Sequence, residues 1–238
     1  MNDRANVGTA PRANGERRPR ASQVSPQPKP RRRRKDERPE EILAAALDEF
    51  ADKGYAATRL DDVARRAGVA KGTIYLYYAG KTELFQAVVR RALSPQLDQI
   101  EAMALAYPGP AEAFLRGPFL ALQRHLLQSD LRRLARVLLA EGPLFPDLTE
   151  FYYREVVSRG LGMMRVLIVR GVERGEFRET ALAQLPQPLI AGALVALVWE
   201  SLFGRFHPLD TERMLETYIT LLLEGLKVRP TTGGSAPS

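Results

Sequence analysis

Lys71, Thr73, Tyr75, Tyr77 and Lys81 crowd hydroxyls and ammonium groups into one short stretch of a 238-residue chain. Such groups donate hydrogen bonds and carry positive charge, which suits phosphate oxygens and the edges of bases. The rest of the chain offers little for catalysis. It has no Cys and two His, His125 and His207. It also lacks a Gly-rich phosphate loop after a strand, a paired-His metal motif and a nucleophile elbow. The sequence therefore points away from an enzyme, and no metal or cofactor is expected.

The elements that would position these donors are helical. Thr58 with Asp61 reads as a capping box that uses Asp in place of Glu. Leu60, Val63, Ala64 and Ala67 give the helix that follows a buried face, and Gly68 suits a tight turn. A second short helix spans about 70–78, with Val69, Ile74 and Tyr78 spaced to face inward. Lys71, Thr73, Tyr75, Leu76 and Tyr77 are then left facing out, a costly use of aromatic surface unless something covers it. Ahead of this pair a helix over about 39–53 has an apolar face of Ile42, Leu43, Ala46, Leu47, Phe50 and Ala51, and Gly54 serves as its left-handed stop. After it, a helix opening at Lys81 carries Leu84, Phe85, Val88, Val89, Ala92 and Leu93. A bracing helix, a turn at Gly and a donor-rich helix together spell a helix-turn-helix.

Thr58–Phe85 resembles the DNA-binding domain of the TetR family of bacterial transcription regulators. The matching pieces are Asp62-Val63-Ala64, Ala67-Gly68-Val69, Gly72-Thr73-Ile74-Tyr75, Tyr77-Tyr78 and Lys81-Thr82-Glu83-Leu84-Phe85. The resemblance implies an all-α chain. Its helix-turn-helix domain would cover 39–93 and a helical ligand-binding and dimerisation domain 94–227. It also implies a homodimer on double-stranded DNA whose operator affinity is changed by a small effector. At the matching positions Lys71 and Thr73 would meet base edges, while Thr58, Arg59, Tyr75, Tyr77 and Lys81 would meet phosphates. The sequence departs from the family at Ala70, where a Ser often caps the recognition helix, and at Arg59, where a smaller hydroxylated residue is frequent.

Charge is unevenly spread. The net charge is +7, yet residues 1–38 hold twelve Lys+Arg against four Asp+Glu, which leaves the remainder at −1. Residues 1–38 are poor in large apolar side chains and read as a disordered basic arm. The run Arg31-Arg32-Arg33-Arg34-Lys35 is the candidate for non-specific DNA contact. Residues 228–238 read as a disordered tail. No secretory signal is visible, and the most apolar run, Leu189–Val198, is too short to span a bilayer, which takes about 20 residues. These features suit a cytoplasmic protein associated with the nucleoid.

The body reads as a helix to about 107 after an interruption at Ser94-Pro95, then helices over about 111–128, 130–140, 147–174, 186–206 and 211–226. Asp130 and the Asp147/Glu150 pair are candidate caps. Helix 186–206 is apolar nearly all round, so it needs cover on every side. With 211–226 it would form a four-helix bundle across a twofold axis. His125, Tyr152, Arg165 and Trp199, together with Glu141 and Glu200, are the polar candidates for an otherwise apolar effector pocket. The leading reading is a repressor released from a palindromic operator by a small, largely apolar ligand. The alternative is a ligand-independent or partner-controlled protein that organises DNA. If the arm binds phosphates, deleting residues 1–35 makes log K against log salt less steep, by about 0.9 for each phosphate that is no longer neutralised; an unchanged slope in a titration at several salt concentrations would exclude the arm from the complex.

Overall fold

Three glycines with positive φ mark places where the helical chain changes direction: Gly54 (φ 82°), Gly68 (φ 65°) and Gly175 (φ 71°). The computed structural model describes residues 31–228, and its regular structure is helical, apart from one isolated bridge between Phe177 and Lys227. From residue 37 onward the described chain makes one compact unit. The expectations for residues 1–30 and for 229–238 lie outside the described residues, as do the side chains of Arg31, Arg32, Arg33, Arg34 and Lys35.

Helix α1 runs Arg31–Ala57 and kinks at Gly54. It starts eight residues before the expected Pro39, which lies inside it. Helix α2 is Leu60–Arg66 and α3 is Lys71–Tyr75. Helix α4, Lys81–Ala106, continues through Ser94 and Pro95 without a break. Pro95 removes one backbone donor, but its ring is exposed and Leu93, Leu97 and Ile100 on either side are buried, so packing carries the helix across.

The next rod is α5 (Ala111–Phe114), a π-turn (Leu115–Phe119) and α6 (Leu120–Gln128). The π-turn is where Pro118 could not have continued an α-helix, and the widened turn makes room for its ring. Helix α7 is Leu131–Glu141. Its first turn is tied by the Ser129 hydroxyl, which accepts from the Leu131 amide at 3.3 Å, and not by the Asp130 side chain. Helix α8 (Pro146–Tyr152), a second π-turn (Tyr153–Val157) and α9 (Ser158–Glu173) replace the single helix expected over 147–174. The expected cap at Asp147/Glu150 is absent; Phe145 stands at the helix start, and the Thr149 hydroxyl instead donates to the Gly142 carbonyl at 2.8 Å.

Helices α10 (Pro188–Leu202) and α11 (Thr211–Leu226) close the body. Asp210 caps α11 by accepting from the Arg213 amide at 3.0 Å. The two helices meet where the Tyr218 ring lies on the bare Cα of Gly192, where a Cβ would collide with it.

The core forms two clusters. One joins α1, α2, α3 and the first half of α4 to Leu131, Leu134 and Val137 of α7 and to Leu148 and Phe151 of α8. The other joins the end of α4 to α5, α6, α9, α10 and α11. The helix-turn-helix thus shares its hydrophobic core with part of the body. At its centre Phe50, Tyr55 and Phe85 pack ring to ring, with centroids 5.1 to 5.8 Å apart. Phe85→Ala should therefore cost about 3–5 kcal/mol, as for other fully buried aromatics, and chemical denaturation monitored by circular dichroism measures it.

Candidate nucleic-acid interface

Helices α2 and α3 are seated by Val63, Ala64 and Ile74, all buried. Gly68 turns the chain between them, and the Val69 amide donates back to the Ala64 carbonyl at 3.0 Å. Burying Ile74 and Tyr78 forces the opposite side of α3 outward. Tyr75 is 51% exposed and Leu76 80% exposed, and Lys71 is exposed as well. Thr73 and Tyr77 are half-buried. Leu76 is not among the expected contact residues. Its place between two tyrosines on the outward face is the available signal, and an exposed aliphatic group there suits a thymine methyl. Ala70 stands at the N-cap of α3 with no side-chain cap, as its lack of a hydroxyl requires.

Lys71 is held by Asp61 of α2 at 2.9 Å. The hydrogen bond to that carboxylate raises the ammonium above the ordinary lysine range, so it is charged at neutral pH. Lys81 is placed differently. Its Nζ donates to the carbonyls of Tyr55 at 2.9 Å and Ala56 at 3.0 Å and lies 4.6 Å from the Tyr55 ring centroid. Partial burial lowers its pKa from the ordinary lysine value. An ammonium has three N–H donors, so one is left for a phosphate.

Thr58 departs from its expected phosphate role. It is 2% exposed, and its hydroxyl donates inward to the carbonyls of Gly54 at 2.6 Å and Glu49 at 3.1 Å. The hydroxyl expected to cap α2 is consumed in closing the end of α1, so α2 starts two residues later, at Leu60, with Arg59 at its N-cap. Arg59 itself is exposed.

The polar candidates for an effector pocket are not brought together. His125 lies on a groove of about 430 Å³ between α4 and α6, beside Gln96, Ile100, Met103 and Leu122. The Gln96 Oε1 is buried there without a hydrogen-bond partner. Tyr152 packs against the cluster that contains the helix-turn-helix core, and burial pushes its phenol up to about 12. Arg165 is exposed on α9. Trp199 lies on α10, where its Nε1 donates to the His207 carbonyl at 2.9 Å and its ring meets Phe203. Glu200 accepts from the Leu209 amide at 2.9 Å. Their spacing along separate helices gives no sign of this scatter. Among the described residues no cluster suited to a metal ion is found, and no helix is long and apolar enough to cross a membrane.

A short exposed helix of donors braced by a second helix defines a DNA-binding regulator of the helix-turn-helix class. Residues 42–88 match the family described as bacterial regulatory proteins, tetR family, and residues 114–220 match the AefR-like transcriptional repressor C-terminal domain. The chain belongs to the TetR family of bacterial transcriptional regulators. It is 42% identical over 91 residues to the transcriptional activator FasR of Mycolicibacterium smegmatis, a match that covers 38% of this chain and 38% of that protein. It is 28% identical over 193 residues to the transcriptional repressor KstR2 of the same organism, covering 79% of this chain and 90% of the relative. The fold matches the crystal structure of the transcriptional regulator FadR from Bacillus subtilis in complex with stearoyl-CoA, with a TM-score of 0.66 at 19% identity, over 79% of this chain and 98% of that one.

Lys71→Ala should relax the preference at one base pair, a discrimination of about 1–3 kcal/mol, whereas Lys81→Ala should weaken all sequences alike and reduce the salt slope by about 1. Selection of bound sequences from a random DNA pool separates the two: a changed base preference in Lys81→Ala would place that lysine at a base.

Proposed function

We propose that this regulator is a homodimeric repressor that leaves a palindromic operator in the bacterial nucleoid when a small, largely apolar ligand enters its body. In this reading Lys71, Thr73 and Leu76 meet bases, while Arg59, Tyr75, Tyr77 and Lys81 meet phosphates. The observation that carries the dimer is the apolar surface of α10 and α11. Leu194, Val195, Leu202, Phe203 and Leu221 are each 46% exposed or more, on two adjacent helices with no cover in a single chain. An isologous pairing of these helices hides that surface and sets two recognition helices for half-sites about 34–36 Å apart.

The groove between α4 and α6 is the proposed point of entry for the ligand. The unpartnered Gln96 carbonyl and the His125 ring would orient one polar group of the ligand, and Ile100, Met103 and Leu122 would take its apolar part. The neighbouring π-turn supports this, because such turns recur at functional sites. The repressor KstR2 lends weight to repression, and the FadR complex with stearoyl-CoA, whose acyl chain is apolar, to an effector with an apolar part. Release then follows from a ligand that binds the DNA-free geometry better than the DNA-bound one.

Sedimentation at micromolar concentration should give a dimer, and a monomer would remove the two-half-site reading. A ligand found by thermal shift should weaken operator binding by about 5–150-fold, the range of coupling free energies of about 1–3 kcal/mol; tight ligand binding that leaves operator affinity unchanged would refute the switch.

A further inference from the structure

Helix α7 reaches α1 through side chains on one stripe. Arg133, Val137 and Glu141 are spaced i, i+4 and i+8, so they lie on the same face. Arg133 donates to Asp48 at 3.0 Å and to Asp52 at 2.8 Å. Val137 is buried in the cluster shared with the helix-turn-helix. Glu141 Oε2 accepts from the Ala56 amide at 2.7 Å. On α1 the contacted positions, 48, 52 and 56, are again spaced by four. Helix α7 is therefore bridged to α1 from its first turns, through Arg133, and to the turn past the kink from its last residue, Glu141. Between the bridges lies a cleft of about 800 Å³ lined by Ala51, Lys53, Arg136 and Ala140 among others.

The Glu141 end differs from the Arg133 end. Asp52 and Asp48 are also held by Arg66 of α2, at 2.9 and 3.6 Å, so loss of Arg133 leaves those carboxylates partnered. The Ala56 amide has Glu141 as its acceptor just past the kink at Gly54, where φ of 82° sets it apart from the regular helical ladder. The carboxylate fits only because position 54 is Gly; a Cβ there would fall on Glu141 Oε1. The same turn supplies the carbonyls that hold Lys81, the first residue of α4, and the one that takes the Thr58 hydroxyl ahead of α2. A group that grips Ala56 therefore grips the point from which both α2 and α4 are hung.

We infer that Glu141 is a positioning residue for DNA binding: its carboxylate, seated in the notch left by Gly54, fixes the angle of α2 and α3 relative to the body, and withdrawal of the end of α7 releases it. The step needed is small. A bond of 2.7 Å lengthened by about 1 Å is no longer a hydrogen bond. Helix α7 packs on both α6, which carries His125, and α10, so movement on either side of the body arrives at this bond. The inference rests on the chain being a DNA-binding regulator, and it is independent of which effector acts.

The test uses the full-length protein and the DNA sequence that the wild type selects from a random pool. Glu141→Ala should lower affinity for that sequence by about tenfold, with Tm changed by no more than about 4 °C, a small shift for a domain of this size. Hydrogen exchange should speed up in the peptide covering residues 55–60 and not in α9 or α11. Glu141→Gln keeps an oxygen acceptor for Ala56 and should restore most of the affinity and the protection. Unchanged affinity in Glu141→Ala overturns the inference, as does a loss accompanied by faster exchange throughout the chain. Failure of Glu141→Gln to rescue overturns the hydrogen-bond basis. A wild type that selects no sequence would instead defeat the DNA-binding reading itself.

Discussion

The turn at Gly54–Ala56 is the constraint on which the arrangement of the reader depends. The kink at Gly54 interrupts the helical ladder and leaves carbonyls and an amide without helical partners, and groups left unpaired cost free energy. Here the groups are satisfied by side chains from three other places. Thr58 takes the Gly54 carbonyl, Lys81 takes the Tyr55 and Ala56 carbonyls, and Glu141 takes the Ala56 amide. Each donor or acceptor belongs to an element that must be oriented: the entry to α2, the start of α4 and the end of α7. Beneath them Tyr55 packs against Phe50, Phe85 and Phe145, with centroids 4.8 to 5.8 Å apart. Polar satisfaction above and aromatic packing below specify one geometry, because neither tolerates a partial fit.

This arrangement changes what the basic residues mean. Lys71 and Lys81 look alike in the sequence, each beside a glycine in a donor-rich stretch. In the structure one rests on an exposed carboxylate and the other is partly buried against carbonyls and a ring. Exposed ion pairs contribute little, about 0–1 kcal/mol, so Lys71 can exchange Asp61 for a base at small cost. Lys81 cannot leave without uncovering two carbonyls. One lysine is free to choose a partner, and the other is fixed in place and can only offer its remaining hydrogen.

Much of this is legible in the sequence. The all-helical fold, the positive-φ glycines at 54 and 68 and the inward face of Ile74 and Tyr78 follow from periodicity and from the few residues that accept a left-handed backbone. The failures have a common cause. Thr58 and Asp147 carry the local signature of a cap, but the Thr58 hydroxyl turns back to carbonyls at the end of the preceding helix and α8 starts ahead of Asp147, outcomes that the capping pattern alone does not show. Pro95 reads as a stop and is overridden by burial on both sides, while Pro118 is absorbed by a widened turn. The polar pocket candidates each stand out on their own helix. Whether they converge depends on rotations between helices that apolar spacing leaves open. Glu141 is the clearest case: nothing in the order of residues ties it to Gly54, far earlier in the chain, because the link exists only once both are packed.

Trp199 carries a further consequence. It is the only tryptophan in the chain. It sits on the apolar face of α10, stacked edge-on to Phe203 and to His207, with its ring nitrogen tied to the His207 carbonyl. Indole emission shifts with the polarity and mobility of its surroundings. The chain therefore holds its single indole at the surface where two copies would meet, and with excitation selective for tryptophan its light would register covering, uncovering or sliding of that face without any label attached.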